Sequence, residues 1–543
     1  MRKILFPLLV AAAVLPAKAQ IASTTGGGLN YADGWAIKAP LAEKPRILVT
    51  CDPELDDNNS MIRFLLFSTG YQVEGLVYTS SQFHWKGDGK GTKAWVAGRE
   101  YDRPGLGFKP MTHYRWDEGE RMIDNIVDAY EKVYPNLKVH DPEYPTPQYL
   151  RSKVYWGNCE FDGDFSKDTP GSELIKMLMM DETNPAPIFV QAWGGCSTIA
   201  RALKSIEDIY GDQPNYPALK ERISKKMILC LSGDQDNTFQ KYIQPFWPDI
   251  KQQPGGIGGA TASFGSQGRQ RTPEGNEVLS AEWTQKNISA YGPMGELVRV
   301  WGDGKQFAKG DVFDFFGFDC PAEELTKKGY VVWMKMQPKG AFVGEGDTGC
   351  FSNFIDNGLL GYVNNWGGWG GYQNPVKPVT QNFAQGGVEA ISASLGIGGG
   401  QNNASQSARR QPVEIKTPDF MPHMFYELSE RLRWSVTPNY TDANHNPVIS
   451  GPSALRAKAG ETLKLKYAVT DPDKGQQVNI TWWKHPISTY EADCNVADVN
   501  KATTTFTVPA DAKSGDEIHL ILEANDNAPI PLVRYNRLIV TVE

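Results

Sequence analysis

Between residues 45 and 360, short apolar runs alternate with segments whose apolar positions recur at helical spacing. The runs predict strands and the spaced segments predict helices. Such alternation is typical of a doubly wound α/β fold built on a parallel sheet. The predicted strands are 46–50, 73–80, 187–193, 226–232 and 330–334, and the predicted helices are 58–67, 119–134, 172–181, 198–209, 321–328 and 417–434.

After Asn446-Pro447 the pattern changes to a strict alternation of polar and apolar residues. Strands are predicted at 463–469, 478–483, 503–508, 518–523 and 537–542. This series predicts an immunoglobulin-like β-sandwich. We therefore expect an α/β domain over residues 45–435 and a sandwich domain over 446–543, with a long Gly/Gln/Asn/Ser loop at 380–412.

Residues 1–19 have a basic start, a short apolar stretch and an Ala-x-Ala end, a pattern that predicts a signal peptide cleaved near Ala19. We expect a periplasmic or secreted protein. No later apolar run is long enough to span a bilayer, so no membrane anchor is expected.

The amino-acid composition indicates which classes of binding partner to expect. A net charge of −8 without a basic tract argues against nucleic acid as a partner. The seven cysteines show no paired spacing, which argues against a zinc site or a disulfide framework. Fifteen tryptophans and 22 tyrosines favour a carbohydrate partner, because aromatic rings stack on sugar faces. No pattern indicates an oligomeric state.

The turn after the first predicted strand carries three carboxylates, Asp52, Asp56 and Asp57, within six residues. Their mutual repulsion must be offset, and a bound Ca²⁺, which prefers carboxylate and carbonyl oxygens, would do so. The alternative is that they cap the helix predicted at 58–67. One cap would suffice for a helix, so three acids favour a metal site.

The run from Thr50 to Asp57, Thr-Cys-Asp-Pro-Glu-Leu-Asp-Asp, resembles the nucleoside hydrolase signature Asp-x-Asp-Pro-Gly-x-Asp-Asp. Thr50 replaces the first aspartate and Glu54 replaces the glycine. With these departures and the run at 74–81, the chain is more similar to a secreted nucleoside hydrolase-like family named for cellulose binding, in which an α/β domain precedes a small β-sandwich. Other family-like stretches lie at 193–195, 232–236, 344–348 and 366–371.

The resemblance implies a calcium centre. Asp52 and Asp57 would be ligands, Asp347 would supply a distant carboxylate, and Trp193 would offer its backbone carbonyl. Asp56 would bind sugar hydroxyls, and Asp52 would deprotonate a water that attacks an anomeric carbon. The activity implied is hydrolysis of a glycosyl or N-glycosyl bond.

One departure from the nucleoside hydrolase pattern affects which leaving group is expected. Nucleoside hydrolases often place a histidine directly before the last aspartate, where this chain has Gly346. Glu345 and His84 are the candidate proton donors, and an alkoxide leaving group needs a donor more than a purine does. This favours a furanosyl-type glycoside over a nucleoside. The alternatives are a salt-bridged loop residue for Glu345 and a hydrogen-bonded structural residue for His84.

Two further pairs are candidates for substrate binding. Asp234 and Asp236 follow a predicted strand, where α/β sheets bind ligands, although they could instead cap the next helix. Trp366 and Trp369 are flanked by glycines and are interpreted as a sugar platform, with a packed lid as the alternative.

The leading hypothesis is an exported calcium-dependent glycosidase-like hydrolase that acts on a plant or microbial glycan. The alternative is a non-catalytic polysaccharide-binding protein on the same scaffold. Nucleoside scavenging outside the cytoplasm ranks third.

Overall fold

A computed structural model describes residues 44–102, 106–253, 262–372 and 416–543. The predicted signal peptide at 1–19 and the predicted loop at 380–412 lie outside these residues. Among the described helices, none combines the length and the hydropathy that a membrane span requires.

The first part of the chain forms a six-stranded sheet in the order β3-β2-β1-β4-β5-β6, and every neighbouring pair is parallel. β1 lies in the middle and is buried along its whole length. The predicted doubly wound fold is confirmed. The strands are β1 (Arg46–Cys51), β2 (Gln72–Tyr78), β3 (Val154–Trp156), β4 (Ile188–Ala192), β5 (Met227–Leu231) and β6 (Lys251–Gln252).

Helices cover both faces of this sheet. Strand alternation sends Ile47 and Val49 of β1 into one apolar core and Leu48 into the other. The helices are α1 (Leu55–Leu66), α2 (Met122–His140), α3 (Pro147–Arg151), α4 (Pro170–Met180), α5 (Ser197–Tyr210), α6 (Tyr216–Lys226), α7 (Gln244–Phe246), α8 (Pro273–Glu277), α9 (Ala281–Thr284), α10 (Gly292–Leu297), α11 (Ala322–Lys327) and α12 (Met421–Val436).

The strand predicted at 330–334 is wrong, because these residues are irregular in the structure. Trp333 and its neighbours pack against an aromatic cluster that contains Trp301 and Phe316. The apolar run is therefore explained by loop packing. The sheet instead gains β3 and β6, which are too short to produce a recognisable run.

The C-terminal strands form one four-stranded sheet, β11-β13-β14-β8, and two two-stranded sheets, β10-β7 and β12-β9. Their inward side chains, among them Leu465, Phe506 and Leu520, form a separate core. The predicted β-sandwich is confirmed. The strands are β7 (Val448–Ser450), β8 (Ala454–Ala457), β9 (Thr462–Lys466), β10 (Ala468–Thr470), β11 (Val478–Lys484), β12 (Thr503–Thr507), β13 (Glu517–Asp526) and β14 (Val533–Val542).

Candidate metal centre and active site

A tight turn at the carboxyl end of β1 assembles the candidate metal centre. The backbone N–H of Glu54 donates to the carbonyl of Asp52 over 2.8 Å, and α1 begins one residue later. Asp56 and Asp57 therefore lie in the first turn of α1. This is the edge at which parallel sheets bind ligands, and the positive end of the helix dipole favours acids here.

Asp52 is fully buried, and only one of its carboxylate oxygens is paired. Its Oδ2 accepts a hydrogen bond from Ser81 Oγ over 2.5 Å and lies 3.1 Å from His84 Nδ1. Among the described residues, its Oδ1 has no hydrogen-bond partner, and the same holds for Oδ1 of the buried Asp57. A buried carboxylate oxygen without a donor is costly, so these two atoms favour a bound cation.

Asp347 lies in a 3₁₀-helix, Gly346–Cys350, that is far from the Asp52 turn in sequence. Burial first, and then the charges of Asp347 and Asp52, raise the pKa of Asp57 well above its ordinary value of 3.8. Burial, together with the charges of Asp52 and Glu54, likewise raises the pKa of Asp347, although a hydrogen bond with Ser232 opposes this. The charges of Asp52, Asp57 and Asp347 therefore act on one another, which places the three predicted carboxylate ligands in one acidic neighbourhood.

Trp193, the predicted carbonyl ligand, follows β4 directly. Its carbonyl accepts a hydrogen bond from Gln235 Nε2 over 2.6 Å, which leaves a second lone pair on the oxygen. A Cβ at Gly194 would lie 2.5 Å from Asp52 Oδ1. Glycine at this position therefore lets the backbone after β4 approach the carboxylate of Asp52.

Gly346, which stands where nucleoside hydrolases often have a histidine, lies close to Asp56. A Cβ there would lie 2.5 Å from Asp56 Oδ2, so a side chain at this position would require the Asp56 carboxylate to move. Burial, followed by the charge of Asp347, raises the pKa of Asp56 well above 3.8. Glycine at position 346 therefore lets the backbone of this loop approach the carboxylate of Asp56.

Glu345 does not have the geometry of the predicted proton donor. It is fully buried, and Arg63 holds both of its oxygens, with Nε to Oε2 at 2.7 Å and Nη2 to Oε1 at 2.8 Å. Arg63 also donates to the carbonyl of Met424 in α12, and Thr348 Oγ1 donates to Glu345 Oε2. These contacts agree with the alternative that Glu345 is a salt-bridged loop residue. Through Arg63 and Thr348, Glu345 links α1, α12 and the loop that carries Asp347.

The structure adds a carboxylate that sequence reasoning missed. Glu54, noted only as a replacement for glycine, has Oε2 3.6 Å from His84 Nδ1. Ligand atoms of Asp52, Glu54 and His84 all lie within 4.8 Å of one another. Burial raises the pKa of Glu54 to about 8, the nearby His84 lowers it and Asp56 raises it. The signal in the sequence was an acid at position 54, where the nucleoside hydrolase pattern has glycine.

The carboxylates of Asp234 and Asp236 are paired with the backbone. Both are buried, and every oxygen of the two side chains accepts a backbone N–H. The capping alternative is therefore the one that the contacts support. Asp234 accepts from Phe239 and Gln240, at 3.1 and 3.0 Å, and Asp236 accepts from Thr238 and Ser197, both at 2.9 Å.

The sugar platform predicted at Trp366 and Trp369 is wrong in this structure. Trp369 is fully buried and donates from Nε1 to the Tyr535 hydroxyl over 3.3 Å, and Trp366 is 8% exposed and packs edge-on against His519 at 5.2 Å. The positive φ of Gly367 folds the segment back on itself, and the sandwich strands cover both rings. The contacts of both rings agree with the alternative that they are packed.

Comparisons with known proteins agree with this architecture. Residues 46–372 match the family model described as cellulose-binding Sde182, nucleoside hydrolase-like domain, and residues 462–542 match the C-terminal domain of cellulose-binding protein Sde0182. A search of curated proteins finds no match.

Among solved structures, a nucleoside hydrolase-related hypothetical protein from Saccharophagus degradans, described as associated with carbohydrate metabolism, is similar in fold. It is 21% identical, covers 92% of this chain and 100% of its own, and has a TM-score of 0.60. Murine CRIg covers 18% of this chain and 98% of its own at 12% identity, with a TM-score of 0.14, too low to bear on the fold. Because the first family model spans more than half of the sequence, the chain belongs to the cellulose-binding Sde182 family, with a nucleoside hydrolase-like domain followed by the C-terminal domain of that family.

Proposed function

We propose that this protein is an exported, calcium-dependent hydrolase that cleaves a glycosidic bond, of furanosyl type, in a plant or microbial glycan. The observation that carries the proposal is the pair of buried, unpaired oxygens on Asp52 and Asp57 beside Asp347. Export rests on the N-terminal segment, and N-terminal sequencing of the protein recovered outside the cytoplasm should begin at Gln20.

The donor set fits calcium. Asp52, Asp57 and Asp347 would supply carboxylate oxygens, and Trp193 would supply its carbonyl oxygen. Ca²⁺ accepts hard oxygen ligands in flexible geometry, whereas Mg²⁺ demands a near-ideal octahedron. When bound, the ion supplies a positive charge that lowers the pKa of a nearby water and orients it.

The roles of the side chains follow from their contacts. Ser81 and His84 hold Asp52 Oδ2, so the carboxylate is fixed when it accepts the proton of the attacking water. The water oxygen bonds to the anomeric carbon, the glycosidic C–O bond breaks, and the leaving oxygen takes a proton from the enzyme. Asp56, which is half-buried, binds sugar hydroxyls.

His84 is assigned as the proton donor to the leaving group. Of the two predicted donors, Glu345 has both oxygens committed to Arg63, which leaves His84 at the metal carboxylates. A His84→Gln variant should lose turnover of substrates with poor leaving groups and keep most turnover of activated aryl glycosides. Equal losses on both substrate types would contradict this role. Glu54→Gln, measured in the same way, tests the neighbouring acid.

A second candidate function is binding of cellulose or another polysaccharide without catalysis. Gly346 favours it, because this chain lacks the histidine that nucleoside hydrolases often place there to assist departure of the leaving group. In that case the acidic turn would bind sugar hydroxyls through the metal and would not activate water.

One experiment separates the two functions. Calcium-loaded protein is screened for hydrolysis and for binding against aryl furanosides, aryl pyranosides, nucleosides and soluble glycans. Asp52→Asn tests the base, and Asp236→Asn is the matched control, because Asp236 is also a buried carboxylate at this sheet edge but is paired with backbone N–H groups. Turnover that only Asp52→Asn abolishes supports a hydrolase. Glycan binding by the calcium-loaded wild type without turnover of any of these compounds assigns the protein to the binding class.

A further inference from the structure

Two histidines that are far apart in sequence lie in contact where the α/β domain joins the sandwich. His140 is the last residue of α2, and His445 lies in the linker 437–447 between α12 and β7. Both are buried, and His140 Nδ1 lies 3.0 Å from His445 Nε2. On the other side of His445, Nδ1 lies 2.9 Å from Oδ1 of Asp473, which follows β10 in the sandwich. The contacts therefore run from the α/β domain through the linker to the sandwich.

The partners of the two rings fix the number of protons that the rings hold. His140 Nε2 lies 2.8 Å from the Thr437 carbonyl, and His445 Nδ1 faces the Asp473 carboxylate. Carbonyl and carboxylate oxygens only accept, so both of these nitrogens carry protons. A hydrogen bond between the two remaining nitrogens needs one more proton. Because two neutral rings hold only two protons in total, the hydrogen-bonded pair carries one positive charge.

The surroundings of the two rings place this charge on His445. The Asp473 carboxylate accepts from His445 Nδ1 and also from its backbone N–H, over 2.7 Å. The ring of Tyr440 lies parallel to that of His445, with centroids 3.6 Å apart and an angle of 6° between them, and the face of an aromatic ring attracts a cation. Burial lowers the pKa of His140, so His140 is the neutral member of the pair.

The other titratable and charged groups around the pair are mostly carboxylates, which favour one positive charge there. They belong to the sandwich, the linker, the end of α2 and α12. These groups are Asp471 and Asp473 of the sandwich, Tyr440 and Asp442 of the linker, Asp141 after α2, and Glu430 and Arg433 on α12. The cation among them, Arg433, has its Nη1 3.7 Å from Glu430 Oε1, so its charge is offset.

We infer that His140, His445 and Asp473 form a pH-sensitive clasp between the two domains, which is closed when the histidine pair holds one excess proton. With no excess proton, two lone pairs face each other across the 3.0 Å contact, and with two excess protons, two N–H groups do. Either state breaks the bond between the rings and weakens the docking of the sandwich on the α/β domain. The inference does not depend on the proposed function.

The direction of the pH dependence follows from counting protons. In the unfolded chain, free histidines titrate near pH 6.5. At higher pH the closed clasp holds one excess proton and the unfolded chain holds none, so the clasp stabilises less as pH rises. At lower pH the unfolded chain holds two and the clasp holds one, so the clasp also stabilises less as pH falls. A difference of one proton changes the unfolding equilibrium constant by up to about tenfold per pH unit on each side.

The test is urea denaturation of wild type and variants between about pH 5 and about pH 8, with calcium in excess. His140→Gln keeps a donor for the Thr437 carbonyl and an acceptor for His445, but it takes no second proton. The ratio of the unfolding constants of wild type and His140→Gln should therefore change by up to about tenfold per pH unit below about pH 6.5 and be constant above it.

His445→Phe should show the opposite pattern. It keeps a ring beside Tyr440 but removes the site of the excess proton, and the buried His140 stays neutral. The ratio for His445→Phe should therefore change above about pH 6.5 and be constant below it. All other titrating groups are shared with wild type and cancel in both ratios.

The matched control is His113→Gln, because His113 is an exposed histidine and its ratio should be constant over the whole range. Circular dichroism checks that each variant folds, and if His445→Phe does not fold, His140→Gln decides alone. A ratio for His140→Gln that is constant at all pH values, or that changes only on the alkaline side, would overturn the inference. An equal change in His113→Gln would do so as well.

Discussion

Two buried acidic clusters lie at the carboxyl edge of one sheet, and they differ in how their oxygens are paired. At Asp234 and Asp236, all four carboxylate oxygens accept backbone N–H groups. At Asp52 and Asp57, one oxygen of each side chain has no partner among the described residues. Buried carboxylates that are fully paired organise the backbone, whereas unpaired ones favour a ligand.

The comparison shows why acidic residues at a strand end are ambiguous in sequence. Both clusters follow buried strands, and both contain closely spaced aspartates. Only the contacts of individual oxygens separate the two. Glu345 belongs with the paired group, because Arg63 holds both of its oxygens although Asp347 is only two residues away.

The largest expected effect is the loss of folding stability when a fully paired carboxylate is replaced. Glu345→Gln should lower the free energy of unfolding by about 3–5 kcal/mol, because it leaves the buried Arg63 charge uncompensated. Urea denaturation in the presence of chelator measures this. Glu221→Gln, which breaks the exposed Glu221–Lys225 pair, is the control and should change little. A Glu345→Gln variant as stable as wild type would remove Glu345 from the paired group.

The next effect separates the clusters directly. Asp347→Asn should weaken calcium binding more than about a hundredfold, since even residues behind the ligands commonly cost 10–100-fold. Asp236→Asn should leave calcium affinity unchanged. Calorimetric titration of both variants gives the answer, and similar losses in the two would erase the distinction between the clusters.

A smaller effect is expected from loss of a cap. Asp234→Ala should cost about 2 kcal/mol of folding free energy, because two backbone N–H groups lose their acceptor. Asp234→Asn should recover part of this, since the amide oxygen still accepts one hydrogen bond. Thermal unfolding with calcium present measures both. If the loss were accompanied by weaker calcium binding, Asp234 would belong to the metal centre.

The smallest effect is a change of pH dependence. In the folded chain without calcium, the pKa values of Asp56, Asp57 and Asp347 lie well above 3.8, so these groups hold protons that the unfolded chain releases. Their contribution is therefore favourable at acid pH and is lost as pH rises above about 4 toward the folded pKa values. Calcium binding displaces those protons, so calcium should stabilise more at neutral pH than at acid pH.

Unfolding midpoints across pH, with chelator and with calcium, test this. The pKa of Asp234, raised to about 6 first by burial and then by Asp236, contributes in both conditions and cancels in the difference. If calcium stabilised the protein equally at all pH values, the unpaired carboxylates would not be its ligands.

The sequence predicted the elements that carry periodic patterns. β1, β2, β4 and β5 are buried runs, and α2, α4 and α5 show helical spacing, so both were recognisable. The strand predicted at 330–334 failed because loop packing buries an apolar run as well as a sheet does. β3 and β6 escaped notice because two or three residues carry no period.

Side-chain partners were the harder part of the site. The turn from Asp52 to Asp57 was apparent from its charge density, but the partner of Glu345 is 282 positions away in sequence. The burial of Trp366 and Trp369 depends on contacts with the sandwich, such as Tyr535, that no local pattern encodes.

Calorimetric titration of chelator-treated wild-type protein with Ca²⁺ at neutral pH decides whether the Asp52 turn is a metal centre. We expect one ion per chain, bound with release of protons from the carboxylates of the Asp52 turn, and loss of that binding in Asp57→Ala. Absence of binding in wild type, or unchanged affinity in Asp57→Ala, would contradict the assignment of this turn as a metal centre.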